Sequence, residues 1–223
     1  MLSPLQRRLR QIIDTIPEAA DVALAGGGAL IVRGVVARPT SDLDYFATSF
    51  RDVDRLLPAL EARLAREGLR TTRVQDHPGF ARLSISDGQD TARIDLAWDV
   101  RLWPPEKIEG GVLLSERELG ADKLLALADR GEARDYIDVA ALADRVGFTR
   151  LYELAQRKHP KLHPGQLLRS LAVFEALPRG DFGLSDRKWQ QLRTQINHWR
   201  NELEQLSAGD SRPDPTRFPD LGW

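Results

Sequence analysis

The sequence predicts a mixed α+β domain followed by a helical region, and three observations lead there. Across residues 22–46 an apolar run meets three consecutive glycines, Gly26, Gly27 and Gly28, then an apolar helix-like segment, a loop and a second apolar run. Across residues 69–98 the chain holds strand-like runs separated by turn residues. Beyond Trp103-Pro104-Pro105 the apolar residues recur at helical spacing as far as Leu206. The proline pair is therefore the expected boundary: a core over residues 1–105, a helical part over 106–206, and an irregular tail over 207–223.

In chain order, Ser3-Pro4 reads as an N-cap and first helical residue. Leu5, Leu9, Ile12, Ile13 and Ile16 form one apolar stripe, ended by Pro17. Residues 22–25 read as a strand and residues 29–36 as a helix. Ser49 opens another helix with Val53, Leu56, Leu57, Leu60 and Leu64 on its buried face; Pro58 is expected to kink or split it, and Gly68 to stop it. Runs at 69–74 and 80–86 follow, and Asp87-Gly88 signals a hairpin. The next strand, residues 91–98, alternates: Ile94 and Leu96 share one side, Arg93 and Asp95 the other.

Ser115-Glu116-Arg117-Glu118 is a capping-box signature for the helix carrying Lys123, Leu124 and Leu127, which Gly131 stops. Residues 132–146 form a further helix with Arg134, Asp135 and Asp138 on or near one face, which reads most simply as a surface salt bridge. Leu167, Leu168, Leu171 and Phe174 mark a helix begun by Pro164. Ser185 caps a long one, where Trp189, Leu192, Ile196, Trp199, Leu203 and Leu206 make a seam for another helix. Such a seam is more often internal core than a partner surface.

The chemistry concentrates between the glycines and Phe46. Glycines let backbone N–H groups approach a phosphate, and the helix that follows adds its partial positive end. Arg38, Thr40 and Ser41 then lead into Asp42-Leu43-Asp44. Residues two apart on a strand share a face, so Asp42 and Asp44 converge as a site for a hard divalent cation such as magnesium. Asp95, an acid flanked by apolar residues in mid-strand, is a candidate third carboxylate. The alternative is an acid on a solvated sheet face, paired with an arginine of the neighbouring strand. Phosphate cradle and metal carboxylates together point to nucleotide chemistry.

Composition narrows the classes. The chain has no cysteine, which excludes disulfides, thiolate metal sites and a cysteine nucleophile, and fits a cytoplasmic protein. No run approaches the ~18 apolar residues of a membrane span, and no apolar segment backs the N-terminal charges as in a signal peptide. The four histidines form no metal-binding pattern. The net charge of −1 hides a division: residues 145–200 hold eleven Lys/Arg against four Asp/Glu. That balance suits a polyanionic partner, or simply solvates the helices.

The glycine turn, the helix, Ser41-Asp42-Leu43-Asp44-Tyr45-Phe46 and the later Ile94-Asp95-Leu96 together resemble the signature of the DNA polymerase β-like nucleotidyltransferase superfamily. Lys123-Leu124-Leu125-Ala126-Leu127, followed by Arg134-Asp135-Tyr136-Ile137-Asp138, is similar to one branch in particular: the AbiEii/AbiGii toxin family of bacterial toxin–antitoxin systems, which includes the MenT toxins. The resemblance covers residues 24–142. It implies a mixed sheet with helices followed by a helical C-terminal part, a nucleoside triphosphate substrate, magnesium, and a cognate antitoxin. It further implies nucleotide addition to an RNA 3′ end, with tRNA the expected acceptor, and arrest of translation. Carried onto this chain, Gly27 and Gly28 would cradle the triphosphate, and Thr40 or Ser41 would contact phosphate. Asp42 and Asp44 would bind magnesium, Lys123 would neutralise phosphate charge, and Asp138 would complete the site. Arg38, Arg134 and Asp135 are lesser candidates. Ala29 stands where the family often has Thr or Ser, which removes one hydroxyl contact. Two other readings remain: the same fold with a small acceptor such as an antibiotic, and a non-catalytic nucleotide-binding module.

Overall fold

A computed structural model of the protein describes residues 1–109 and 111–210. The chain divides into two compact units, the first spanning Met1–Lys123 and the second beginning at Leu124.

The first unit is built on a seven-stranded mixed sheet. Helix α1 (Pro4–Ile13) opens it, and its start is fixed by a reciprocal capping box. The Gln6 N–H donates to the Ser3 hydroxyl at 3.1 Å, and the Ser3 N–H donates to Gln6 Oε1 at 2.9 Å. Strand β1 (Ala23–Leu24) leads through Ala25 into α2 (Gly26–Val32), and β2 (Asp42–Ala47) follows. Then come α3 (Phe50–Arg66), β3 (Arg70–His77), β4 (Phe80–Ser86) and β5 (Thr91–Trp98). Two short strands, β6 (Glu106–Ile108) and β7 (Gly111–Leu113), precede α4 (Glu116–Asp129), which carries the chain across the boundary between units. The strand order is β3-β4-β5-β2-β1-β7-β6. Strands β2 and β5 run parallel, while β5, β4 and β3 form an antiparallel meander.

Several local expectations change. The helix after the glycines starts at Gly26 itself, with Ala25 as its N-cap, and ends at Val32 rather than Val36. Gly34, in the left-handed region at φ 66°, turns the chain out of it. Pro58 does not split α3, which runs on through it. The one lost backbone bond is outweighed by the buried stripe on both sides of it: Val53, Leu56, Leu57, Leu60 and Leu64. Residues after the proline pair return to the same sheet as β6 and β7, and Glu118 ties that passage down by accepting from the N–H groups of Leu102 and Trp103, each at 2.9 Å.

Strand alternation gives the sheet one apolar and one polar face. Leu43, Tyr45, Leu83, Ile85, Ile94 and Leu96 are all buried on the first. Near it, Asp14 at the end of α1 is crowded against Gly111 and lies 3.7 Å from Arg10. Burial raises the Asp14 carboxyl above its usual range, more strongly than Arg10 lowers it. A carboxyl raised by folding contributes stability only when protonated, and loses that contribution as pH rises through its folded value. At pH 7 it therefore costs stability. Asp14→Asn is expected to raise the melting temperature at pH 7, with the gain shrinking toward about pH 4. A melt at both pH values checks this; a lower melting temperature at pH 7 would show that the Arg10 pair outweighs the burial.

The second unit is helical: α5 (Ala133–Val146), α6 (Phe148–Lys158), α7 (Pro164–Val173) and α8 (Asp186–Asp210). Gly147, at φ 84°, separates α5 from α6. The seam on α8 is internal core. Trp199 stacks on Phe148 with ring centroids 4.8 Å apart, and Trp189 stacks on Phe174 at 5.0 Å. Phe182 packs edge-on against both Phe174 and Trp189. Helix α8 continues through residues 207–210, where a tail was expected; the rest of that tail, residues 211–223, lies outside the described residues. Among the described residues no helix is long and apolar enough to cross a membrane.

Candidate active site

The site is assembled by strand register. In the parallel pairing of β2 with β5, Asp42 stands beside Arg93 and Asp44 beside Asp95. In the antiparallel pairing of β4 with β5, Arg82 stands opposite Asp95. All five side chains belong to the face opposite the apolar core, because they occupy alternate positions on their strands. Each of the three acids offers a carboxylate oxygen, and these oxygens lie within 4.8 Å of one another. Oxygens bound to one magnesium sit about 3–4 Å apart, so a small side-chain rotation fits the cluster to such an ion. An all-oxygen, charged donor set favours magnesium or manganese over softer metals.

The glycines close on this cluster. Gly26, at φ 56°, lies so near the Asp44 carboxylate that any side chain there would collide with it. A Cβ on Gly27 would come within 2.9 Å of an Arg38 guanidinium nitrogen and 3.1 Å of the Thr40 hydroxyl. Thr40 in turn donates to Asp42 Oδ1 at 3.1 Å. Gly27, Arg38, Thr40, Asp42 and Asp44 are thus brought together at the start of α2, where the first N–H groups of a helix have no partner within it. Gly28 has another role: a Cβ there would meet Leu43 and Leu24 at 3.2 and 3.3 Å, so glycine lets the helix pack on the core. Ser41 is exposed at the loop's end.

Two arginines hold the acids. Arg82 grips Asp95 with its fork, Nε donating to Oδ1 at 2.9 Å and Nη2 to Oδ2 at 2.6 Å. That hydrogen bond raises the Arg82 guanidinium further, with Asp42 and Asp44 adding to the field. Arg93 donates to Asp42 through Nη2, and its Nε stands 3.7 Å from Asp95. Sequence reasoning foresaw a neighbouring-strand arginine only as the alternative to a metal role for Asp95; the arginine is there, on an acid that also belongs to the carboxylate cluster. It missed Gly26 and Arg93 as site residues. One signal existed: Arg93 lies two positions from Asp95 and so shares its face, whereas the pairing of Arg82 with Asp95 follows from a loop over residues 87–90 that is longer than the expected Asp87-Gly88 turn.

In the second unit, Asp135 is buried and accepts both nitrogens of Arg130, Nε and Nη2, each at 2.9 Å. It also accepts the Glu132 N–H at 3.2 Å, capping α5. Arg134 pairs with Glu132 at 2.8 Å. Asp135 and Arg134 therefore serve the start of α5. Asp138 is fully buried on α5, and Lys123, only 7% exposed, sits on α4.

The model of the AbiEii nucleotidyl transferase toxin family, type IV toxin–antitoxin system, matches residues 7–221. The chain belongs to the AbiEii family. It is a nucleotidyltransferase of a toxin–antitoxin system, and its sheet is the nucleotidyltransferase fold. JHP933 of Helicobacter pylori superposes with a TM-score of 0.58 at 20% identity, over 94% of this chain and 97% of that one. MenT4, a nucleotidyltransferase toxin of Mycobacterium tuberculosis, gives a TM-score of 0.59 at 15% identity, over 92% of this chain and 87% of that one. No curated protein matches the chain by sequence. The acid cluster at the glycine turn is a set of residues that could hold a divalent ion.

Proposed function

We propose that this AbiEii protein transfers a nucleotide from a nucleoside triphosphate to an RNA 3′ hydroxyl, with a tRNA acceptor end as substrate, and so blocks translation. The observation that carries the reading is the juxtaposition of Asp42, Asp44 and Asp95 with the glycine start of α2. The acceptor oxygen forms a bond to the α-phosphorus, the bond to the β-phosphate oxygen breaks, and pyrophosphate leaves with that electron pair. Asp95 takes the acceptor's proton. Asp42, Asp44 and Asp95 would hold magnesium, which when bound supplies charge stabilisation to the attacking and leaving oxygens. The N–H groups at Gly26, Gly27 and Gly28, with Arg38, Thr40 and Ser41, orient the triphosphate.

We assign Lys123 to the leaving phosphates and Asp138 to completing the site. Both are charged residues buried on their helices, an uncommon place for a charge whose only task is solubility. Lys123→Ala is expected to slow transfer by roughly 10²–10³-fold, the usual cost of losing one charge-stabilising group. A rate unchanged from wild type would remove Lys123 from the site. RNA as acceptor is supported by the excess of basic residues over 145–200, of which Arg157, Lys161, Arg169, Arg187 and Lys188 are exposed. A cognate antitoxin follows from family membership, and the cysteine-free chain fits the cytoplasm.

The test is incubation of the protein with total RNA, with isolated tRNA and with an aminoglycoside, each with the four labelled triphosphates. Label on tRNA that disappears when magnesium is chelated is the expected result. Label on the aminoglycoside alone would replace RNA by a small acceptor. No label anywhere, with nucleotide still bound in calorimetry, would leave only a non-catalytic nucleotide-binding module.

A further inference from the structure

The two arginines on the acid cluster are not equivalent. Arg82 satisfies Asp95 completely from the side: both carboxylate oxygens receive N–H donors, and the carboxylate keeps lone pairs directed elsewhere. Arg93 instead lies among the acids. It donates to Asp42 while its Nε, 3.7 Å from Asp95, is buried without a hydrogen-bond partner. A guanidinium that spans two acids and leaves a buried N–H unmet is held by charge more than by fit. Its side chain is also 39% exposed, so it has room to leave.

The geometry points to Arg93 as a stand-in cation that closes the carboxylate cluster until a divalent ion takes its place, and to Arg82 as a positioning residue that holds Asp95 for that ion. This rests on the reading of Asp42, Asp44 and Asp95 as the cation site. Three carboxylates left alone on one sheet face would repel one another, and two guanidinium groups offset most of that charge. A divalent ion binding Asp42 and Asp95 competes with Arg93 for the same oxygens. The Arg82 fork, approaching from the neighbouring strand, takes one lone pair on each Asp95 oxygen and leaves the other for the ion. Once displaced, Arg93 is a free cation at the rim of a site that takes a triphosphate, where it can pair with phosphate oxygens. Metal occupancy and phosphate affinity would then be coupled through one side chain.

Calorimetric titration of the full chain with manganese, without nucleotide, separates this from a general charge effect. Arg93→Gln is expected to tighten manganese binding on the order of tenfold, because the competitor is gone. Arg82→Gln is expected to weaken it, because Asp95 loses its brace. Field strength alone predicts that both variants tighten, since each removes one positive charge beside the acids. Tightening by Arg82→Gln, or no tightening by Arg93→Gln, overturns the assignment. Thermal melts of both variants confirm that they fold, and Arg93→Lys, which keeps the charge but loses the fork, should fall between wild type and Arg93→Gln. On adding magnesium to wild type, the Arg93 Nε–H resonance should shift while that of Arg82 stays; a fixed Arg93 signal at saturation also overturns it. If no variant and no wild-type protein binds manganese, the cation site itself is refuted. If all bind alike, only the roles of the two arginines fall.

Discussion

Asp44→Ala is expected to abolish nucleotidyl transfer while leaving the fold intact. Asp44 sits in register with Asp95 and directly against Gly26, so it is the acid nearest both the other strand's carboxylate and the glycine start of α2. Removing it takes away one of the three oxygen donors and opens a gap beside Gly26. Loss of one charge-stabilising group commonly costs about 10²–10³ in rate, and loss of a metal ligand should cost at least that. Stability should change by no more than about 1 kcal/mol, because the strand is anchored by Leu43 and Tyr45 on the other face, and removing a carboxylate relieves repulsion from Asp42 and Asp95. Incorporation of labelled nucleotide measures the first effect and urea unfolding the second. A variant within about tenfold of wild type at physiological magnesium would take Asp44 out of the mechanism.

Trp199→Ala is expected to destabilise the helical unit by about 3–5 kcal/mol, the usual cost of emptying a large aromatic site in a core. Trp199 is 2% exposed and lies nearly parallel to the Phe148 ring, at an interplanar angle of 9°. Ile196 and Leu203, one turn away on either side, are fully buried, so the hole cannot be filled by water or by a simple shift of the helix. Denaturant unfolding followed by tryptophan fluorescence and circular dichroism gives the measurement. A loss below about 1 kcal/mol, accompanied by weakened binding of a partner protein, would mean that the α8 seam is a docking surface and not core.

Much of the candidate site was legible because its residues are local in sequence. The glycine run, Thr40 and the Asp42, Asp44 pair lie within one short loop-and-strand unit, and period-two alternation places both acids on one face without further information. Residue 95 was legible as an unusual acid, but its neighbours were not, since which strand lies beside which depends on pairing between distant segments. The helix after the glycines was misplaced by a full turn. Propensity makes glycine a poor helix residue, yet here the close approach of Asp44 and Arg38 requires it at the first positions. Pro58 was expected to kink or split its helix because a single proline is costly in isolation; it does not split it, and tertiary burial outweighs that cost. Asp135 looked like a surface ion-pair partner; its burial and its grip by Arg130 come from the turn between α4 and α5, which spacing alone does not reveal.

The sequence alone determined which residue types the chain carries, the periodicities that make strands and helices of them, and the face of β2 on which two acids converge. Those are short-range properties, set by backbone geometry and side-chain alternation. Only the tertiary structure decided that β5 lies parallel to β2 in a register that sets Asp95 beside Asp44, that Arg82 and Arg93 offset most of the cluster's charge, and that the α8 seam is filled from within. Strand order and helix packing are long-range choices: they minimise exposed apolar area over the whole unit, and no local pattern records which solution wins.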